Sequence, residues 1–193
     1  MKPAYNPDVD EIIAKALCLD SNAAEALYLS SIEDHPDVPE LYFNLGTLYV
    51  NRDEPEKAIK PLMNALALAP ESPLVHYYLG RACDECHELA VAEQYYLNAI
   101  RIEPNYSDPY YALSLLLRQR GKAALAIPYC RKYIELEPCD KRAKCAQRII
   151  NEATKASKLM VTVVNLSRVR RLPAEREQIK ASLSVVLGSK KVS

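Results

Sequence analysis

Apolar residues recur along this chain at helical spacing. Tyr42, Leu45, Gly46 and Tyr49 are separated by 3, 1 and 3 positions, which places them on one face of a helix. Arg52 to Glu54 interrupts the pattern with polar residues. Pro55 then suits the first turn of a new helix, where its missing N–H costs nothing. Ala58, Leu62 and Ala65, spaced by 4 and 3, give that second helix a narrow apolar face, and Pro70 ends it. The unit predicted is a pair of antiparallel helices. One pair has too little apolar surface to make a core alone.

The unit repeats with a period of 34 residues. Segment 39–72 aligns with 73–106: Leu45 falls on Leu79, Gly46 on Gly80, Ala58 on Ala92, Leu62 on Tyr96, Ala65 on Ala99 and Pro70 on Pro104. In 107–140 the same columns hold Leu113, Ala126, Cys130, Tyr133 and Pro138, with Ser114 in place of the glycine. In 5–38 only Ala24, Tyr28 and Pro36 match. Stacked copies of such a unit bury one another. Pro61 and Pro128 lie inside second helices, within the first two turns, and predict bends there.

These columns resemble the tetratricopeptide repeat, strongly over 39–140 and weakly over 5–38. The resemblance implies an all-α, right-handed solenoid of antiparallel helix pairs with a C-terminal helical extension. It also implies a non-catalytic scaffold that binds a protein or peptide segment in a concave groove, as an adaptor, assembly factor or chaperone. Residues of the first helices left over from the core face are then groove candidates: Phe43, Asn44 and Thr47, then Tyr77, Tyr78 and Arg81, then Tyr111, Leu115 and Arg118. Phe43, Tyr77 and Tyr111 stand 34 apart and are expected to form an outward-facing aromatic stripe. Members that grip a C-terminal carboxylate use a cluster of Lys, Asn and Arg on successive first helices. Only Asn44 matches that pattern here, so no such clamp is expected.

Cys83-Asp-Glu-Cys86-His87 reads CxxCH, the attachment signature of c-type haem, and its side chains are also zinc-ligand types. Against both readings, Cys83 occupies the interior column of Tyr49 and Leu117, and His87 falls at the turn between helices. Neither a cofactor nor a metal is therefore expected. Cys18, Cys130, Cys139 and Cys145 do not repeat the spacing. His35, His76 and His87 are far apart, and no glycine-rich phosphate loop, GxSxG or HExxH is present, so no enzyme activity is expected.

From Cys139 to Leu172 there is neither Gly nor Pro. Ala146, Ile149, Ala153, Ala156, Met160 and Val163 form a seam spaced alternately by 3 and 4. The expected division is a capping helix at 141–157 and a basic helical extension at 158–193, less secure as helix across the β-branched Leu159–Val164. Beyond Pro173, Ile179, Leu183, Val186 and Leu187 make a further stripe.

Charge sharpens this boundary. Residues 1–140 carry 12 Lys and Arg against 22 Asp and Glu, a net of −10. Residues 141–193 carry 13 against 3, a net of +10. The basic extension is expected to contact the acidic repeats or a partner protein, in cis or by self-association. It holds no aromatic residue, which argues against nucleic acid through base stacking. The low glycine count of 4, the absence of Trp and a single Phe argue against a β-barrel or sandwich. No apolar run suits a membrane span and the N-terminus lacks a secretory pattern, so the cytoplasm, with six reduced cysteines, is the compartment expected.

Overall fold

Helix boundaries follow local chemistry in a computed structural model that describes residues 7–169. The elements are α1 (Pro7–Leu17), α2 (Ser21–Asp34), α3 (Pro39–Asn51), α4 (Pro55–Leu68), α5 (Pro73–Glu85), α6 (Leu89–Ile102), α7 (Ser107–Gln119), α8 (Ala123–Leu136) and α9 (Lys141–Val169). No strand occurs among the described residues. Pro39, Pro55 and Pro73 each open a helix. The Asp20 carboxylate caps α2 by accepting from the N–H groups of Asn22 and Ala23, both at 3.0 Å. α4 and α8 run on through Pro61 and Pro128 without ending.

The turn inside each pair is the same motif three times. Asp53, His87 and Gly121, one column 34 apart, adopt φ of 57, 62 and 72°. The next N–H in each turn reaches back to the third-last helical carbonyl: Glu54 to Tyr49 at 3.0 Å, Glu88 to Cys83 at 2.8 Å and Lys122 to Leu117 at 2.8 Å. This is the Schellman closure, whose left-handed residue is strained unless it is glycine.

Packing within a pair depends on a small residue facing a larger one. A Cβ added at Gly46 would stand 2.5 Å from Leu62 Cγ, and one at Gly80 would stand 2.6 Å from the Tyr96 ring. Gly46, Gly80, Leu62 and Tyr96 are buried. In the next pair the glycine column holds Ser114, and its facing column holds Cys130, both fully buried. Serine is admitted because its partner is smaller, and its hydroxyl donates to the Tyr111 carbonyl at 2.7 Å.

Between pairs, further column-wise bonds recur. Tyr42 Oη donates to the Pro36 carbonyl at 3.1 Å and Tyr110 Oη to the Pro104 carbonyl at 2.9 Å. His76 occupies the same column and bonds the Pro70 carbonyl through Nε2 at 3.0 Å, so that nitrogen carries the proton. Arg52 pairs with Glu25 at 2.6 Å and Arg120 pairs with Glu93. The Tyr49 hydroxyl also donates to Glu25 at 2.7 Å, and together with Arg52 it holds that carboxyl below the usual carboxylate range.

α3 touches α5, α5 touches α7 and α7 touches α9, whereas α2, α4, α6 and α8 make no comparable contacts with one another. The first-helix side is therefore the short, concave side of the stack. α9 closes the last pair with Ala146, Ile149, Ile150 and Ala153 buried. Arg142, in its first turn, bonds Asp108 at 2.8 Å and Asp140 at 3.2 Å. Beyond Ala153 the expected seam is uncovered: Ala156 is exposed and Met160 is 66% exposed. The helix nevertheless continues through the β-branched stretch to Val169. There the Thr162 hydroxyl is satisfied by donating to the Lys158 carbonyl, four residues back, at 2.9 Å. The charge-docking and apolar stripe expected of 170–193 lie outside the described residues.

Two predictions arise from this packing. Gly80→Ser should cost about 1–3 kcal/mol against Tyr96, but under about 1 kcal/mol in a Tyr96→Cys background, as a urea double-mutant cycle would read. Gly121→Ala should cost about 1 kcal/mol although its methyl meets nothing, and His87→Gly should raise stability by up to about 1 kcal/mol in thermal melts.

Candidate protein-interaction surface

The concave side is built from the outward faces of α3, α5 and α7. The regular core columns turn Leu45, Leu79 and Leu113 inward, which leaves the intervening residues on this face. Asn44 and Thr47 are half-buried and bond their own helix: Asn44 Nδ2 donates to the Glu40 carbonyl at 2.8 Å, and Thr47 Oγ1 to the Asn44 carbonyl at 2.9 Å.

The aromatic residues do not form the simple stripe that their spacing suggested. Phe43 meets Tyr78 edge-on, with ring centroids 5.3 Å apart. Tyr78 meets Tyr77 at 5.3 Å, and Tyr77 meets Tyr106 at 5.4 Å and Tyr96 at 6.1 Å. The chain of rings thus runs Phe43, Tyr78, Tyr77, Tyr106, from the face of one repeat into the joint with the next. Tyr77 is a packing residue within it: burial and the nearby Asp108 push its hydroxyl up to about 12. Burial likewise pushes Tyr106 up. Tyr111 belongs to a separate group, 5.0 Å from Tyr133 and under the Arg142 guanidinium at 5.4 Å.

Phe43, Tyr77 and Tyr111, expected to face outward as one stripe, are each half-buried: Phe43 against Tyr78 of the next repeat, Tyr77 against Tyr106, and Tyr111 against Tyr133 of its own repeat. Tyr106 and Arg142 were not among the sequence candidates. Tyr106 sits in an inter-repeat turn, where helical spacing carries no signal. Arg142 could have been noticed as the basic residue 34 positions after Asp108.

What remains available on this side is different. Leu74 is 47% and Leu115 is 36% exposed. Arg118 is exposed and has no ion-pair partner among the described residues. Arg81 lies over the Tyr78 ring at 5.4 Å and donates to Glu85 at 3.5 Å.

All members of the CxxCH segment are repeat positions. Cys83 is 3% exposed in the core column, and burial pushes its thiol up to about 11. Cys86 stands where the neighbouring repeats have Arg52 and Arg120, and burial with nearby glutamates raises its thiol too. His87 is the left-handed turn residue. Thiolate chemistry is disfavoured at both sulfurs. No group of three or more His, Cys, Asp or Glu among the described residues, these included, is placed to hold a metal ion. All six cysteines are free. No helix among the described residues is long and apolar enough to cross a membrane.

Comparison with known proteins agrees with this architecture. Tetratricopeptide repeat models match residues 27–60, 44–107 and 107–138. A crystal structure of MamA superposes with a TM-score of 0.69 at 26% identity, covering 92% of this chain and 99% of that one. A MamA structure from Desulfovibrio magneticus RS-1, at 20% identity, superposes with a TM-score of 0.62, covering 67% and 73% of the two chains, and shows likeness of fold. A UDP-N-acetylglucosamine–peptide N-acetylglucosaminyltransferase of Giardia intestinalis is 31% identical over 101 residues. That match covers 52% of this chain but spans only 7% of the transferase. With its 34-residue columns, its stacked helix pairs and three family models that together span residues 27–138, the chain belongs to the tetratricopeptide repeat family.

Proposed function

We propose that this protein is a non-catalytic scaffold that captures an extended or helical protein segment along the concave side of α3, α5 and α7. The observation that carries this reading is exposed Leu115 one helical turn from exposed Arg118, whose charge has no ion-pair partner among the described residues. An exposed leucine next to an uncommitted guanidinium offers a segment apolar contact and a charge-assisted anchor. The aromatic network behind them supplies a rigid floor, which lowers the ordering cost of binding. Likeness to a transferase over a small part of its length supports a shared repeat module and not shared chemistry.

Affinity capture with the intact chain, followed by mass spectrometry, would identify the segment. Leu115→Ala with Arg118→Glu should then weaken binding by about 1–3 kcal/mol per anchor while helical circular dichroism is unchanged. Tyr77→Ala should lower stability as well, by about 2–4 kcal/mol, because it empties a packed joint. Undiminished affinity in the Leu115 and Arg118 double variant would place the binding surface elsewhere.

A further inference from the structure

The side of the molecule opposite the groove carries a second feature, which the repeat itself explains. In the third and fourth copies a tyrosine of the second helix covers the aromatic residue of the first. Tyr95 lies over His76, with ring centroids 6.0 Å apart, and Tyr129 lies over Tyr110 at 6.5 Å. His76 and Tyr110 are each only 7% exposed as a result. The same column of α4 holds Pro61. Its short ring cannot reach across, and Tyr42 has no ring partner among the described residues and remains half-exposed.

The missing ring leaves a cleft of about 560 Å³ between α2 and α4, floored by α3. This volume lies within the range of small-ligand pockets. Its walls are Leu29 and Ile32 on one side, Pro61 on the other, and Tyr42, Leu45 and Tyr49 beneath. Three charged residues stand at the rim. Lys57 is held by Glu54 at 2.7 Å, while Lys60 has no ion-pair partner among the described residues. Glu56 is the third, and Asn64 completes the polar edge.

We infer that this cleft is a docking site for an aromatic side chain of a partner peptide that carries carboxylates beside the aromatic residue. The ring takes the place over Tyr42 that Tyr129 takes over Tyr110, and a neighbouring carboxylate pairs with Lys60. Pairing an aromatic ring with Tyr42 recovers a contact that the other repeats make internally. With Lys57 and Lys60 against Glu56, the lining carries one net positive charge, which favours acidic flanks over basic ones. The chain's own basic extension does not meet this description, since residues 141–193 contain no aromatic residue.

Because the protein contains no Trp, an indole in the probe reports binding without background. The probe is the peptide acetyl-Asp-Asp-Trp-Asp-amide, followed by its fluorescence on titration with the full chain. Saturable binding with a blue shift is expected. Pro61→Tyr fills the cleft from within and should weaken binding at least tenfold while raising the melting temperature. Pro61→Ala removes the proline without filling the space and should keep wild-type affinity, which separates occlusion from misfolding. Lys60→Glu should weaken binding several-fold, and a probe with lysines in place of the aspartates should bind at least tenfold more weakly. The Leu115→Ala, Arg118→Glu variant should leave the probe unaffected, so failure of the groove reading and failure of this one are distinguishable. Equal affinity for Pro61→Tyr and wild type, or equal affinity for acidic and basic probes, would overturn the inference. So would conversion of a dimer to a monomer by Pro61→Tyr in light scattering, which would make a second copy the occupant.

Discussion

The stack depends on one steric constraint: the two helices of a pair meet where a small residue faces a larger one. Gly46 receives Leu62 and Gly80 receives Tyr96 at distances that leave no room for a methyl group. Ser114 with Cys130 solves the same problem with two intermediate volumes. What recurs is complementarity across the contact and not a fixed pair of identities, as close packing requires. The first helices of successive pairs touch one another, while the second helices make no comparable contacts. Curvature, and with it a concave side, follows from that asymmetry.

The same periodicity accounts for features that look like chemistry. A cysteine pair followed by histidine is a haem signature when read alone. Read in register, it is a core position, an arginine position and a left-handed turn position of the repeat. The pair Arg52 and Glu25 has its counterpart in Arg120 and Glu93, and the intervening repeat substitutes Cys86 and Ile59. A repeat protein tolerates such exchange because each joint bears only on its neighbours.

Departures from the periodic pattern are where surface is left uncovered. Pro61 replaces a tyrosine that elsewhere seals the outer side, and a cleft opens over Tyr42. On the inner side, Leu74, Leu115 and Arg118 are residues that the stacking contacts do not consume. At the C-terminal end, Arg142 joins Asp108 and Asp140 and so ties the basic segment to the last acidic repeat. This is the one part of the charge asymmetry that is visible within the described residues.

By itself the sequence determined the helix pairs, their period, the core columns and the family, because burial repeats every 34 residues and each helix shows its apolar face locally. It also determined that Cys83 is interior, since it shares a column with Tyr49 and Leu117. Only the tertiary structure decided which groove candidates are free. Phe43, Tyr77 and Tyr111 share a column but differ in neighbours: Tyr77 is claimed by Tyr106 from an irregular turn, and Tyr111 by Tyr133 and Arg142. The cleft beside Pro61 was equally hidden, because a void is defined by the absence of atoms from two helices that are distant in sequence. Periodicity reports which face of a helix is turned inward; it does not report how far a neighbouring side chain reaches across the joint.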